Sequence, residues 1–167
     1  MLDDDIVETA REVLDLCRNK RLKIATAESC TGGLVIGALT EVAGSSDVVE
    51  RGFVTYSGNA KQAMLGVPEK TLAQFGEVSR ETAEAMAKGA LAHALADLAV
   101  SITGIAGPGG GSTAKPVGLV HFAAADRSGR LAHVELRFGD IGRSGVRQQS
   151  VLQALWMLRD LARNTTP

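Results

Sequence analysis

The chain has 167 residues, a formal charge of −1, 22% charged and 45% apolar residues. That length suits one domain, residues 1–167, with a single core, and the near-neutral balance gives no reason to expect direct nucleic-acid or anionic-membrane binding. No apolar run is long enough to span a bilayer. The acidic start Met1-Leu-Asp-Asp-Asp5 lacks the basic and apolar regions of a signal peptide. Cys17 and Cys30 make neither a disulfide framework nor a metal-ligand pattern. The expectation is a cytoplasmic protein with no metal and no cofactor, its core packed from small aliphatic side chains because aromatics are only 4%.

Residues 4–19 predict a helix, with Ile6, Ala10, Val13, Leu14 and Cys17 at helical spacing and a basic, solvated end at 18–21. Residues 22–27 predict a strand, 31–42 a helix, and Gly44-Ser-Ser-Asp47 a turn. A strand over 48–56 leads to a short helix over 59–65 that stops at Gly66, with Pro68 beyond. Ser79 is placed to cap an alanine-rich helix whose stripe is Ala83, Met86, Ala90, Leu91, Ala94 and Leu95. A buried-type strand over 98–103, a glycine-rich loop over 104–116, and strands over 117–125 and 131–138 joined at Asp126-Arg-Ser-Gly129 come next. The last helix covers 144–163, with Val151, Leu155, Leu158 and Leu161 inward and Trp156 assigned to the core. Alternation in the first half favours parallel pairing and the hairpin imposes antiparallel pairing. The fold class is therefore α/β, with a mixed sheet of about five strands covered by helices on both faces.

Four segments carry candidate chemistry. Thr26-Ala-Glu-Ser-Cys-Thr-Gly-Gly33 lies between a strand and a helix. Unpaired N–H groups there can hold an anion, or the oxyanion formed when a hydroxyl attacks a carbonyl. Ser29 is either a helix cap or a nucleophile, and neighbouring Cys30 is intrinsically the stronger nucleophile. Thr55-Tyr-Ser-Gly-Asn-Ala-Lys61 closes the second strand and opens the next helix. Serine needs a base, and His93, His121 and His133 fall mid-helix or inside strands. Lys61 is the remaining base candidate, provided that burial beside a helix start lowers its pKa from about 10.4. Tyr56 is positioned to relay a proton or steady the lysine. A solvated lysine is the competing reading.

The third segment, Ser101 to Pro116, ends a strand in a loop with five glycines from Gly104 to Gly111. It matches neither a Walker loop nor a dinucleotide fingerprint, yet its amides can cradle a phosphate, with Lys115 in reach. In the fourth, Gly139 to Arg147, Arg143 and Arg147 are spaced i, i+4 at a helix start, where two cations oppose the helix dipole unless an anion is bound.

Together these segments resemble the C-terminal domain of the competence/damage-inducible CinA family, which also occurs as a stand-alone nicotinamide-nucleotide amidohydrolase. The matching pieces are Ala27-Glu-Ser-Cys-Thr-Gly-Gly33, Gly44-Ser-Ser46, Tyr56-Ser57 with Lys61, Val78-Ser79, Thr103-Gly-Ile-Ala-Gly-Pro108, Lys115-Pro-Val-Gly118 and Gly139-Asp140. They run in order from about residue 5 to 163. No segment resembles the pyrophosphatase-like domain that precedes this one in longer members. The resemblance implies a three-layer α/β/α domain that deamidates nicotinamide mononucleotide to nicotinate mononucleotide and ammonia, in pyridine-nucleotide recycling. It implies Ser29 as nucleophile, Lys61 as base and Tyr56 as its helper. Substrate contacts would come from Cys30, Thr31 and Gly32 in the turn, Thr103 and Gly104 in the pocket, and Lys115, Arg143 or Arg147 at the phosphate. It also implies a homo-oligomer. Two departures stand out: Gly58 replaces the Asn usual two residues after the Tyr, and Ile141-Gly142 intervene before Arg143 where the family often reads Gly-Asp-Arg. A non-catalytic nucleotide-binding module and a Cys30 amidohydrolase are the alternatives.

Overall fold

The computed structural model describes residues 2–167. Helix α1 spans Asp4–Lys20, with Asp4 and Asp5 in its first turn, where carboxylates suit the dipole. It ends at Arg21, whose left-handed backbone (φ 57°) turns the chain into the sheet. Strand β1 (Ile24–Glu28) is succeeded by α2 (Leu34–Thr40), a 3₁₀ turn at Ser45–Asp47, β2 (Val49–Val54) and α3 (Gly58–Leu65). Then come α4 (Glu69–Phe75), α5 (Arg80–His93), β3 (Leu98–Gly104), β4 (Leu119–Asp126), β5 (Leu131–Arg137) and α6 (Gly142–Asn164).

The five strands form one sheet in the order β2-β1-β3-β4-β5. β1 pairs in parallel with β2 and β3, while β3, β4 and β5 pair antiparallel. The expected mixed sheet is present, and strands β1 and β4 are buried along their whole length, as central strands covered on both faces are. One face packs against α1, α2 and α6 around Leu14, Leu39, Ile102, Phe122 and Leu155. The other packs against α3 and α5 around Leu65, Met86, Ala99 and Ala123. The alanines on this second face let α5 lie close to the strands, and Ser101 Oγ donates to the Ala83 carbonyl at 2.5 Å. Gly89 likewise lets α3 abut α5, since a Cβ there would overlap the Leu65 carbonyl. That contact fixes the helix carrying Lys61.

Several boundaries differ from expectation. Helix α2 begins at Leu34 rather than 31 because Gly32 and Gly33 hold φ of 59° and 98°, outside the helical region. Helix α4 was not expected: it buries no residue, so no apolar stripe announces it, and Pro68, beyond the end of α3 at Gly66, is its N-cap. Leu95 is not part of the α5 stripe, for the helix stops at His93 and Leu95 is 81% exposed. Trp156 is half-exposed, because the buried positions Val151, Ala154, Leu155, Leu158 and Leu161 define a face that it leaves. The basic end of α1 is not merely solvated. Arg18 bonds Asp15, Asp47 and the Gly44 carbonyl, and Lys20 bonds the carbonyls of Ala162, Arg163 and Thr165.

Parallel strand β1 sits between connections that run to opposite faces, α2 on one and α5 on the other. The carboxyl ends of β1 and β3 therefore border a topological switch point, the usual place for a crevice in such sheets.

Candidate active site

The site is assembled where the chain leaves three strand ends, those of β1, β2 and β3. The parallel register sets Glu28 opposite Val54 and opposite Ile102. Two backbone bonds extend that pairing past the strands: Ser29 N–H donates to the Ile102 carbonyl at 3.0 Å, and Thr55 N–H to the Glu28 carbonyl at 2.8 Å. Ser29 is thus held beside Thr55. Helix α3 starts immediately afterwards because Ser57 Oγ accepts the Ala60 N–H at 3.1 Å, an N-cap. Lys61 lies in the first turn of α3, and its side chain reaches back to the strand ends. Its Nζ donates to the Thr55 carbonyl at 2.9 Å and contacts Ser29 Oγ at 3.0 Å.

Lys61 is 1% exposed, the largest fully buried side chain described. Burial, the dominant cause, pushes its pKa down from the ordinary lysine value, with Glu77 and Cys30 acting weakly in the other direction. In the neutral amine, one N–H satisfies the Thr55 carbonyl and the lone pair faces the Ser29 hydroxyl. The solvated-lysine reading is excluded.

The Ser29 turn is rigid for reasons the sequence pattern does not announce. The buried Glu28 carboxylate accepts the N–H groups of Val35 (2.8 Å) and Ile36 (3.0 Å), capping α2 from the preceding strand. Glu28 lies within the motif, yet only the fold shows that it consumes those donors. The Gly32 amide is also used, donating to the Ser29 carbonyl at 3.0 Å. Among the described residues, the amides of Cys30, Thr31 and Gly33 have no protein acceptor. The oxyanion-type donors expected over 30–33 are thus narrowed to these three.

Ser29 and Lys61 open into a cavity of about 440 Å³, a size suited to a small molecule. Cys30, Tyr56, Thr103, Gly104, Lys115 and Arg143 also line it. Thr103 donates its hydroxyl to the Glu77 carbonyl at 2.7 Å, and Lys115 Nζ donates to the Phe75 carbonyl at 2.6 Å. Tyr56 is 61% exposed, and its hydroxyl accepts from Arg143 at 3.0 Å rather than meeting Lys61. Arg143 also donates to the Gly107 carbonyl at 2.9 Å, linking the glycine-rich loop to the second strand end. Despite the added Ile141-Gly142, Arg143 reaches the cavity from α6.

Three predicted residues lie elsewhere. Arg147 does not line the cavity, because its guanidinium is directed at the carbonyls of Cys30 (3.2 Å) and Thr31 (3.3 Å), bracing the turn from outside. Thr31 is fully buried and Gly32 lies outside the lining. Cys30 does line it, but burial pushes its thiol pKa up to about 12.

A buried lysine amine against a serine hydroxyl, beside unspent main-chain donors in a small-molecule cavity, defines the class: an α/β protein with a serine–lysine constellation at the carboxyl edge of its sheet. Residues 7–162 match the model of the CinA C-terminal domain, and the chain belongs to that family. It is 49% identical over 160 residues to the nicotinamide-nucleotide amidohydrolase PncC of Escherichia coli, covering 93% of this chain and 96% of that protein. It is also 49% identical over 148 residues to a putative competence-damage inducible protein of Caldicellulosiruptor bescii, of which it spans 35% of the length. The solved structure of competence/damage inducible protein CihA from Agrobacterium tumefaciens superposes with a TM-score of 0.95 at 56% identity, covering 96% of this chain and 98% of that one.

Proposed function

We propose that this chain is a nicotinamide-nucleotide amidohydrolase that converts nicotinamide mononucleotide and water to nicotinate mononucleotide and ammonia. The observation that carries the reading is the 3.0 Å contact between buried Lys61 Nζ and Ser29 Oγ at the cavity floor. The nearly full-length likeness to PncC supports the substrate. Neutral Lys61 takes the Ser29 proton as Oγ attacks the carboxamide carbon. The oxyanion is held by the Cys30 amide, the one unspent amide of the turn whose residue lines the cavity. Lys61 returns the proton to the departing ammonia, leaving an ester on Ser29. Water, deprotonated by the same lysine, then cleaves that ester and restores the serine.

The phosphate is assigned to Arg143 with Lys115, and not to Arg147, whose donors face the turn. Thr103 and Gly104 flank the ring. Tyr56 positions Arg143, and through it the phosphate. Arg143→Ala is expected to raise KM for the mononucleotide by about tenfold or more while barely affecting nicotinamide riboside, since a charge-assisted guanidinium contact is lost. Steady-state ammonia release on both substrates checks this; equal losses on the two would reassign the phosphate site.

The cysteine alternative is disfavoured by a buried thiol with a pKa near 12. Cys30→Ser is expected to keep turnover within a few-fold of the parent, whereas a Cys30 nucleophile would lose it altogether. A binding module would gain nothing from a buried, deprotonation-prone lysine, which costs stability. Among the described residues no helix is long and apolar enough to cross a membrane, and both cysteines are free, as suits a reducing compartment. A cytoplasmic homo-oligomer belongs to the same proposal, and sedimentation analysis tests the assembly.

A further inference from the structure

Glu77 is the one carboxylate among the cavity-lining residues, and the serine–lysine mechanism gives it no task. Its backbone is fixed, because its carbonyl accepts the Thr103 hydroxyl at 2.7 Å against the end of β3. Its side chain is directed toward the start of α3, over Gly58. A Cβ on residue 58 would stand 2.8 Å from Glu77 Oε1, so the absence of a side chain there is what makes room for the carboxylate. Among the described residues Glu77 has no ion pair and no side-chain hydrogen bond, although Lys61, Lys115 and Arg143 line the same cavity. Lys115 is occupied at the Phe75 carbonyl and Arg143 at Tyr56 and Gly107. A carboxylate left unpartnered in the lining of a cavity is a ready acceptor for a cation from outside.

The cavity therefore carries both signs of charge, with basic groups at Lys61, Lys115 and Arg143 and one unpaired carboxylate, Glu77, within electrostatic reach of Lys61. A pyridinium mononucleotide likewise carries both signs. Its phosphate is anionic, while its ring nitrogen, alkylated by the ribose, carries a fixed positive charge close to the ring carbon bearing the carboxamide. With the carboxamide at Ser29, the ring lies among the groups surrounding that hydroxyl. We propose that Glu77 is a specificity-determining residue that faces the ring cation and selects oxidised pyridinium nucleotides over their uncharged dihydropyridine forms. This assignment rests on the mononucleotide reading and adds the basis on which the ring is chosen.

Binding is measured by titration calorimetry on Ser29→Ala, which does not turn the ligand over, with nicotinamide mononucleotide and its reduced dihydro form as probes. Adding Glu77→Gln is expected to weaken the oxidised ligand by up to about fivefold, the upper end for an exposed ion pair, and to leave the reduced ligand within about twofold. Gly58→Ala, which keeps the charge but displaces the carboxylate, is expected to move the oxidised-to-reduced ratio in the same direction. A merely structural Glu77 would weaken both ligands alike, and that result, or no change in the ratio, overturns the assignment. If the unmodified protein releases no ammonia from the mononucleotide and Ser29→Ala binds neither ligand, the substrate reading itself fails and the Glu77 assignment goes with it. Binding of both forms with an unaltered ratio removes the Glu77 assignment alone.

Discussion

Ser29→Ala is expected to lower ammonia release from nicotinamide mononucleotide by about four orders of magnitude while the protein stays folded. The magnitude reflects removal of the atom that forms the covalent intermediate; binding and the main-chain donors are left, and alone they give only residual catalysis. The fold should survive, because Ser29 is held through its backbone N–H on Ile102 and its carbonyl on Gly32, neither of which involves the hydroxyl. Loss of the Oγ contact with Lys61 removes one hydrogen bond, about 1 kcal/mol. Single-turnover mixing of the parent with substrate, then acid quench and mass measurement, should show an acyl adduct on the peptide containing Ser29, absent in the variant. Retention of more than a tenth of parental turnover would eliminate Ser29 as the nucleophile.

Lys61→Met is expected to be equally inactive and to change the pH dependence of stability. Activity is lost because no other base lies within hydrogen-bond reach of Ser29 Oγ among the described residues. The stability effect has a definite sign. Burial lowers the Lys61 pKa in the folded protein below its ordinary value of 10.5, so between the two values the unfolded chain binds the proton more strongly than the folded one. The resulting penalty is fully present below the folded pKa and vanishes as pH rises past the unfolded value. The parent should therefore gain stability from neutral pH toward about pH 10 relative to Lys61→Met, which lacks the titrating group. At neutral pH the variant should be no less stable than the parent, since an apolar chain of similar shape replaces a buried amine. Denaturant melts at a series of pH values measure the difference. For the parent enzyme, kcat/KM should rise with pH through a limb lying below the ordinary lysine range, reporting the neutral base. A limb in the histidine range that persists in Lys61→Met would overturn the assignment.

Gly66 ends α3 with φ of 65°, as a terminating glycine should, and Ser79 caps α5 through its hydroxyl. The hairpin at 126–129 was equally legible, with Gly129 at φ 96°. Such features are local: a few residues set their own backbone angles and satisfy their own hydrogen bonds. Helix α4 escaped because it buries no residue fully and only Leu72 packs against the core, which leaves no periodic trace. Glu28 escaped because the Val35 and Ile36 amides become its partners only once the turn at 32–33 brings α2 back over β1. Arg147 was paired with Arg143 by spacing alone. Four residues along a helix bring two side chains to one side, but the distance to a ligand depends on where the helix lies against the turn, and that placement directs Arg147 at carbonyls instead.

The sequence by itself determined the family, the five strands and all helices but α4 in their order, and the identity of the candidate pair, because ordered motifs, periodic apolar faces and turn residues are written along the chain. Only the tertiary structure decided that Lys61 lies buried against Ser29, which amides remain unspent, that Arg143 rather than Arg147 meets the cavity, and that Glu77 fills the space above Gly58. Those outcomes depend on strand register and helix docking between segments tens of residues apart, where a side chain's charge state and reach are set by neighbours that spacing does not name.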